Sequence, residues 1–156
     1  MIERKQNSSN FRARRAATTV EVAVIAPLTF LILFGLVIGG MGIFRFFEVA
    51  DLAREGARWA SVHGADYASD TGNAAATAQD VYNNVIKAKA VGLDLNKLTY
   101  SVTWNTDNRP YHTTIVGGQL TPVTNTVRVR LTYRWVPEFY FRAVNLTSMS
   151  ECAMTH

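Results

Sequence analysis

The feature that most constrains this chain is an uncharged apolar run over residues 22–44, which follows directly on Glu21. A helix rises by about 1.5 Å per residue, so a helical run of this length measures about 35 Å and can cross a hydrocarbon core of about 30 Å. The run is longer than the roughly 7–15 apolar residues of a secretory signal, and no Ala-x-Ala cleavage site follows it. We therefore expect a retained membrane-spanning helix.

Basic residues are concentrated before this run. Five of the 16 Lys and Arg residues lie in residues 1–15, against one of the 12 Asp and Glu residues. The remaining chain holds eleven of each sign, so its net charge is zero and the high pI does not indicate a nucleic-acid partner. The positive-inside rule predicts a cytoplasmic N-terminus and places residues 45–156 on the other side of the membrane. The polar residues 1–11 are expected to be disordered.

The helix that contains the apolar run is predicted to continue into water. It is expected to begin near Thr18 or Thr19, either of which could cap it, and to end near Gly64. Small residues recur along it at spacings of three, four or their multiples, so they lie in one stripe. These residues are Gly35, Gly39, Gly42, Ala50, Ala53, Ala57, Ala60 and Gly64. Such a stripe suits close packing by another helix or by a sheet, although a chance run of small residues is the alternative.

After residue 64 the pattern predicts a small domain. Residues 66–73 are predicted as a turn-rich linker, residues 74–90 as a second helix, and residues 105–122 as a polar loop. Alternation of polar and apolar residues predicts three strands. They lie at residues 99–104, 127–135 and about 146–154. The predicted fold class is α+β: a long N-terminal transmembrane helix that continues into a small exported domain with a second helix and about three antiparallel strands. The stripe of small residues is expected to lie across the apolar face of the sheet.

The sequence predicts no catalytic, cofactor or metal site. His63, His112 and His156 are far apart and lack ligand spacing, and no Gly-rich phosphate loop or Gly-x-Ser-x-Gly motif is present. The single cysteine, Cys152, excludes an intrachain disulfide. It is expected either as a small buried hydrophobe or as half of an intermolecular bridge.

Glu21 is the residue that these patterns leave unexplained, because an acid at the edge of an apolar span is costly to insert. The dipole of a helix N-terminus could stabilise its carboxylate while the side chain reaches water. Alternatively, the carboxylate could meet a positive group on a neighbouring chain. Pro27, six residues later, removes one backbone hydrogen bond inside the lipid-buried helix and permits a kink there.

These features together resemble a known family. The basic tail, residues 16–21 (AATTVE) and the apolar run resemble the N-terminus of type IV pilin-like proteins. A more specific resemblance is to the TadE-like family, minor pseudopilins of the tight-adherence (Flp) pilus system. The residues that carry it are 14–23 (RRAATTVEVA), Ala26-Pro27, Phe34-Gly35 and 52–60 (LAREGARWA). The resemblance is specific over residues 14–62 and loose beyond them.

The resemblance implies a precursor whose basic cytoplasmic leader, residues 1–16, is removed by a prepilin peptidase between Ala16 and Ala17. Glu21 would then be the fifth residue of the mature chain and would meet the N-terminal amine of an adjacent subunit. A long helix over residues 17–64 and an exported α+β domain over residues 65–156 would follow. Ala16 stands where the family usually has glycine, and Val22 stands where an aromatic residue usually follows the glutamate.

The function expected on this basis is that of a minor pseudopilin or assembly factor, a single-pass protein of the inner (cytoplasmic) membrane that works by helix packing and protein–protein contact. Its expected partners are the lipid bilayer, other pilus subunits or assembly-platform membrane proteins, and the prepilin peptidase. The residues concerned are Ala16 and Ala17 for processing, Glu21 for subunit assembly, and Gly35, Gly39, Gly42, Ala53, Ala57 and Ala60 for helix packing. One alternative is a membrane-tethered extracytoplasmic binding domain outside any filament. A second is an anchored periplasmic enzyme, which would need converging polar residues in the exported domain.

Overall fold

A computed structural model describes residues 6–137 and 142–155, with side chains from residue 19 onward. The helices are α1 (Gln6–Ser61), α2 (Ala65–Thr71), α3 (Ala78–Val81) and α4 (Lys87–Lys89), with a π-helical turn (Tyr82–Ile86) between α3 and α4 and a 3-10 turn (Leu95–Lys97) after α4. The strands are β1 (Leu98–Trp104), β2 (Tyr111–Val116), β3 (Gln119–Thr124), β4 (Thr126–Trp135) and β5 (Val144–Ala153). This architecture confirms the predicted α+β class.

The chain divides into two compact units, Met1–Met41 and Gly42–His156. Where it is described, the first unit consists of α1 alone. Within the described residues, one helix is long and apolar enough to cross a membrane, and it spans Thr19–Ser61. Over residues 20–37 its large apolar side chains are exposed, as the 69% exposed fraction of Leu31 illustrates. A continuous apolar surface of this kind requires lipid or another protein around it.

Helix α1 begins earlier than the sequence predicted. Its first residue is Gln6, so the predicted start near Thr18 or Thr19 is wrong, and so is the predicted disorder of residues 6–11. Residues 6–18 contain neither glycine nor proline, and their Ala and Arg residues favour the helix, so no stop signal interrupts it. Pro27 lies inside α1 without ending it.

The second unit is built on a three-stranded antiparallel sheet with the order β1-β4-β5. The central strand β4 places Val127, Val129 and Leu131 in the core with no exposed surface, while the intervening arginines 128 and 130 face solvent. This alternation is the one that the sequence predicted, because one face of the sheet is covered and the other is wet. All three predicted strands are confirmed, with shifts of one or two residues at their ends.

Two segments that were predicted as irregular have regular structure. Within the predicted loop at residues 105–122, residues 111–122 belong to an antiparallel hairpin of β2 and β3, joined through Gly117 and Gly118. Both glycines have positive φ, 60° and 86°, as a two-residue hairpin turn of the primed type requires. The predicted linker is also wrong, because it forms α2, which Gly72 ends with a φ of 73°.

The second helix begins at Ala78, four residues later than the predicted start at residue 74. Thr77 caps it: the side chain of Thr77 accepts a hydrogen bond from the backbone N–H of Asp80, and the carboxylate of Asp80 accepts one from the backbone N–H of Thr77 at 2.9 Å. This reciprocal capping box fixes the first helical residue at Ala78. The helical segment then runs through α3, the π-helical turn and α4 to Lys89.

The core lies between the inner face of the sheet, the second half of α1 and the segment from α3 to α4. Its buried residues are Val49, Leu52, Ala53, Ala57, Ala60, Val81, Ile86, Leu93, Leu98, Val102, Val127, Val129, Leu131, Tyr133 and Met154. Gly42 lies against Trp135 at the end of β4, whereas the carbonyl of Ser61 accepts a hydrogen bond at 2.9 Å from the N–H of Thr155, just after β5. Since the end of β5 pairs with the start of β4, α1 runs antiparallel to β4.

Candidate functional site

The surface of α1 carries the residues that the sequence singled out, beginning with Glu21. This side chain is exposed, and it lies 15 residues after Gln6, or about four helical turns. No acidic residue occurs in the first turn of α1 as the structure describes it. The favourable effect of a helix N-terminus falls off within one turn, so it does not stabilise Glu21 in the uncut chain. The predicted dipole explanation is therefore wrong for this helix.

The predicted processing site lies in the same helix. Residues 16 and 17 have helical backbone, but their side chains lie outside those that the structure describes. The processing roles of Ala16 and Ala17 stay predictions.

The predicted stripe of small residues divides into two parts. A Cβ atom added at Gly35 or at Gly39 would meet no described atom within 4 Å. In contrast, Ala53, Ala57 and Ala60 have exposed fractions of 0%, 1% and 0% and belong to the core of the second unit. These alanines therefore pack inside the chain, and the glycines 35 and 39 present an open helix surface.

Gly42, like the three alanines, is covered by other residues of the second unit. A Cβ atom at this position would lie 2.8 Å from Cζ3 and 3.0 Å from Cη2 of Trp135, closer than a side chain can approach. The absence of a side chain thus allows the indole of Trp135 to lie directly against the helix backbone.

Three core residues of α1 were missed by sequence reasoning. Val49 and Leu52 are buried, and a Cβ atom at Gly56 would lie 3.4 Å from both Val129 and Val81. The stripe was predicted from residue size alone, which excluded Val49 and Leu52. Residues 42, 49 and 56 recur every seven positions, and this heptad spacing was the signal that could have found the buried face.

Exposed side chains of α1 form ion pairs. Glu55 accepts a hydrogen bond from Nζ of Lys89 in α4 at 2.8 Å, and this bond, with the positive charge of Lys89, lowers the pKa of Glu55. Asp51 and Arg54 form a second pair at 3.3 Å on the same helix. Both pairs are exposed, so each is expected to contribute little to stability.

A polar cluster lies beyond the end of α1, where Asn125 precedes β4. The Asn125 side chain is fully buried, and its amide nitrogen donates to Oδ1 of Asp107 at 2.7 Å and to the carbonyl of Arg109 at 2.9 Å. Its amide oxygen accepts from Oγ1 of Thr106 at 2.6 Å and from Nδ1 of His112. All the hydrogen-bonding capacity of this amide is therefore satisfied inside the fold, and the cluster fixes the loop before β2.

A cavity of about 430 Å³ borders this cluster and is lined by Asp66, Asp107, Arg109 and His112 among others. Since His112 uses Nδ1 for the bond to Asn125, it is held as a structural group. His63 is held similarly, because its Nδ1 bonds to the carbonyl of Trp59 at 2.8 Å and its ring stacks on that indole. Among the described residues, no three His, Cys, Asp or Glu side chains are placed to hold a metal ion. His156 lies outside the described residues.

Cys152 is partly buried against the core on β5. This position agrees with a small hydrophobic side chain that fills the space beside β4.

Comparison with known proteins gives a match to a family model. Residues 16–58 match the model of the family described as TadE-like protein. No curated protein and no solved structure matches the chain. The match shows a likeness of this N-terminal segment to TadE-like proteins. The matched segment includes Glu21, the apolar run and most of the core face of α1. The match confirms the resemblance to the TadE-like family that the sequence predicted, and it lies entirely within α1.

Proposed function

We propose that the chain is a minor pseudopilin or assembly factor of a tight-adherence pilus, anchored in the inner membrane with its N-terminus in the cytoplasm. The observation that carries this proposal is the family match over residues 16–58, which coincides with the one described helix that is apolar enough to span a membrane. The excess of basic residues before the span supports the orientation. The work of such a protein is protein–protein contact, through α1 in the membrane and through the second unit outside it.

Processing gives Glu21 a role that the uncut helix does not. Cleavage between Ala16 and Ala17 creates a new α-amino group four residues before Glu21. The carboxylate can then pair with the α-amino group of a neighbouring subunit. Both charges would otherwise lie unpaired at the edge of the lipid, so their pairing favours association of subunits.

The open part of the small-residue stripe supports a second contact. Gly35 and Gly39 are about one helical turn apart. A Cβ atom added at either position would meet no described atom within 4 Å. Their spacing allows the backbone of a neighbouring helix to approach closely in lipid. Gly42 and the three alanines already pack inside the second unit. The proposed contact between subunits is therefore confined to Gly35 and Gly39.

The N-terminal sequence of the protein taken from its native membranes tests this proposal. Ala17 as the first residue is expected. Ala16→Gly, which restores the usual family residue, should keep the cleavage, and Ala16→Glu should abolish both cleavage and incorporation into pili. Met1 as the first residue of the wild-type protein would contradict the proposal and favour the tethered binding domain.

A substitution of Glu21 tests the assembly contact separately. Glu21→Ala should leave the protein in the membrane but exclude it from sheared pilus fractions. Asp51→Asn is the matched control, because Asp51 is an exposed acid on the same helix outside the apolar run. Normal incorporation of the Glu21→Ala chain would show that the carboxylate does not direct assembly.

A further inference from the structure

We infer that one end of the second unit rests in the headgroup region of the bilayer, through Trp135, Val136, Val144 and Val91. This inference rests on the proposed membrane anchoring of α1 but is not implied by it. An anchored domain can equally stand clear of the membrane on its helix.

Two contacts fix the position of this end along α1. Trp135 lies against Gly42, where a Cβ atom would be 2.8 Å from the indole. A Cβ atom at Gly92 would be 3.0 Å from Nη1 of Arg45, so the loop that carries Val91 lies beside Arg45. Residues 42 and 45 are about 4.5 Å apart along a helix axis. The end of β4 and this loop therefore lie at the same level of α1.

At this level α1 still has a lipid-like surface. Phe44 and Phe47 have exposed fractions of 65% and 60%. Arg45, the first charged residue after the apolar run, is partly buried and pairs with Glu48 at 3.1 Å. Pairing lowers the cost of placing both charges next to hydrocarbon. The helix surface thus changes from apolar to charged at the level that Trp135 and Val91 share.

The other residues at this end are suited to the membrane interface. Val91, Val136 and Val144 have exposed fractions of 79%, 45% and 47%, although each is apolar. Val144 pairs with Trp135 across β4 and β5, so the two lie side by side, and Val136 follows directly in the chain. Tryptophan is enriched where proteins meet lipid headgroups, because its ring is apolar while its N–H is polar.

Basic residues flank these apolar side chains. Arg134 and Arg142 are both exposed, and each lies within two residues of Val136 or Val144 along the chain. A cation near the surface of an anionic membrane contributes roughly 1 kcal/mol of attraction. The combination of exposed apolar groups with neighbouring arginines favours an anionic bilayer over a protein partner as the group that covers this end.

The opposite end of the same unit provides an internal comparison. The β2–β3 hairpin also exposes apolar side chains, with exposed fractions of 71% for Ile115 and 75% for Leu120. It adjoins the start of β4 through Asn125, at the Ser61 end of α1. Residues 42 and 61 are about 28 Å apart along the helix, so the hairpin cannot share the level of Trp135. It should therefore remain in water while Trp135 contacts lipid.

Depth-dependent quenching of tryptophan fluorescence tests the inference on the full chain. The chain is reconstituted in vesicles of phosphatidylcholine and phosphatidylglycerol that include brominated lipids as quenchers. The bromine is attached to the acyl chain either near the headgroup (shallow) or near the chain end (deep). Trp59→Phe with Trp104→Phe leaves Trp135 as the reporter, and Trp104→Phe with Trp135→Phe leaves Trp59 as the matched control. A third chain has all three replaced by Phe and carries Phe30→Trp inside the span.

The expected result is loss of Trp135 emission with shallow bromine, loss of emission from the Phe30→Trp chain with deep bromine, and no loss for Trp59. If the Phe30→Trp chain is quenched and Trp135 is not, the anchor stands and the inference is overturned, whether water or a protein covers this end. If neither is quenched, the proposed anchoring itself fails.

A second reporter covers the case in which the tryptophan variants do not fold. On a Cys152→Ala background, Val91→Cys labelled with an environment-sensitive dye should give blue-shifted, lipid-quenched emission. Leu120→Cys labelled in the same way should report water. Equal, water-like emission from both positions would overturn the inference.

Discussion

At the scale of single residues, replacing two glycines of α1 by alanine should change the stability of the fold in opposite directions. Gly42→Ala places a Cβ atom 2.8 Å from the Trp135 ring, so the indole must move, and we expect a loss of about 1–3 kcal/mol of stability. Gly56→Ala meets its neighbours at 3.4 Å, an ordinary contact, so the gain in helix propensity should stabilise by up to about 1 kcal/mol.

Chemical denaturation of the full chain in detergent micelles, followed by tryptophan fluorescence, measures both effects. Gly39→Ala is the control, because a Cβ atom there meets no described atom within 4 Å. Equal stability changes for the variants at positions 42 and 56 would show that the close approach of Trp135 does not constrain the helix.

Asn125 should be the most sensitive polar residue of the second unit. Asn125→Ala removes four side-chain hydrogen bonds and leaves Asp107, Thr106 and His112 without their buried partner. We expect a loss of roughly 3 kcal/mol, since each unsatisfied group costs about 1–3 kcal/mol. Asn145→Ala, at an exposed position of β5, is the control and should change the denaturation midpoint little. A similar midpoint for both variants would contradict the role of Asn125.

At the scale of elements, the sequence predicted those whose pattern is set by burial on one face. Strand β4 has Val127, Val129 and Leu131 inward and charged residues outward, so its period of two is clear. The hairpin was missed because both of its faces are largely exposed, which leaves no such contrast in the sequence. Its turn at Gly117-Gly118 was a signal, but flanking alternation was lacking.

The same reasoning explains what was found and missed on α1. Residue size predicted Ala53, Ala57 and Ala60 on one face, and the core contains them. Size could not show that β4 covers this face, because the partner comes from residues about 70 positions later in the chain. Nor could residue size show that Gly35 and Gly39 stay open while Gly42 is covered, since all three are glycines of the same predicted stripe.

The bond between α4 and α1 should make stability depend on pH. Lys89 lowers the pKa of Glu55 in the folded chain, so the pair contributes stability above about pH 4.5, the ordinary value of a glutamate. This contribution is lost as the pH falls through the lowered pKa of the folded state. We expect the unfolding temperature to drop between about pH 5 and pH 3, and Glu55→Gln or Lys89→Gln to reduce the drop by the same small amount.

Lys87→Gln is the matched control for this pair, because Lys87 is exposed on the same helix, α4, two residues from Lys89. It should leave the pH dependence unchanged. An equal reduction for the Lys87 and Lys89 variants would show that the net charge of α4, and not the bond to Glu55, causes the effect. High salt should weaken the effect, since both partners are exposed.

At the scale of the whole molecule, α1 contributes residues to both units. This predicts which fragments of the chain can fold on their own. The second unit begins at Gly42, and five of its buried core residues lie on α1. They are Val49, Leu52, Ala53, Ala57 and Ala60. A fragment of residues 65–156 lacks them, so the apolar face of its sheet is left uncovered. We expect no cooperative unfolding transition from this fragment.

A fragment of residues 42–156 keeps the whole buried core and should unfold cooperatively in detergent micelles at a midpoint close to that of the full chain. Calorimetry and near-ultraviolet circular dichroism distinguish the two fragments, because a fixed environment of Trp104 and Trp135 gives a near-ultraviolet signal that is lost on heating. A cooperative transition from residues 65–156 alone would mean that the sheet is stable without α1. In that case the buried face of α1 would not be required for the sheet to fold.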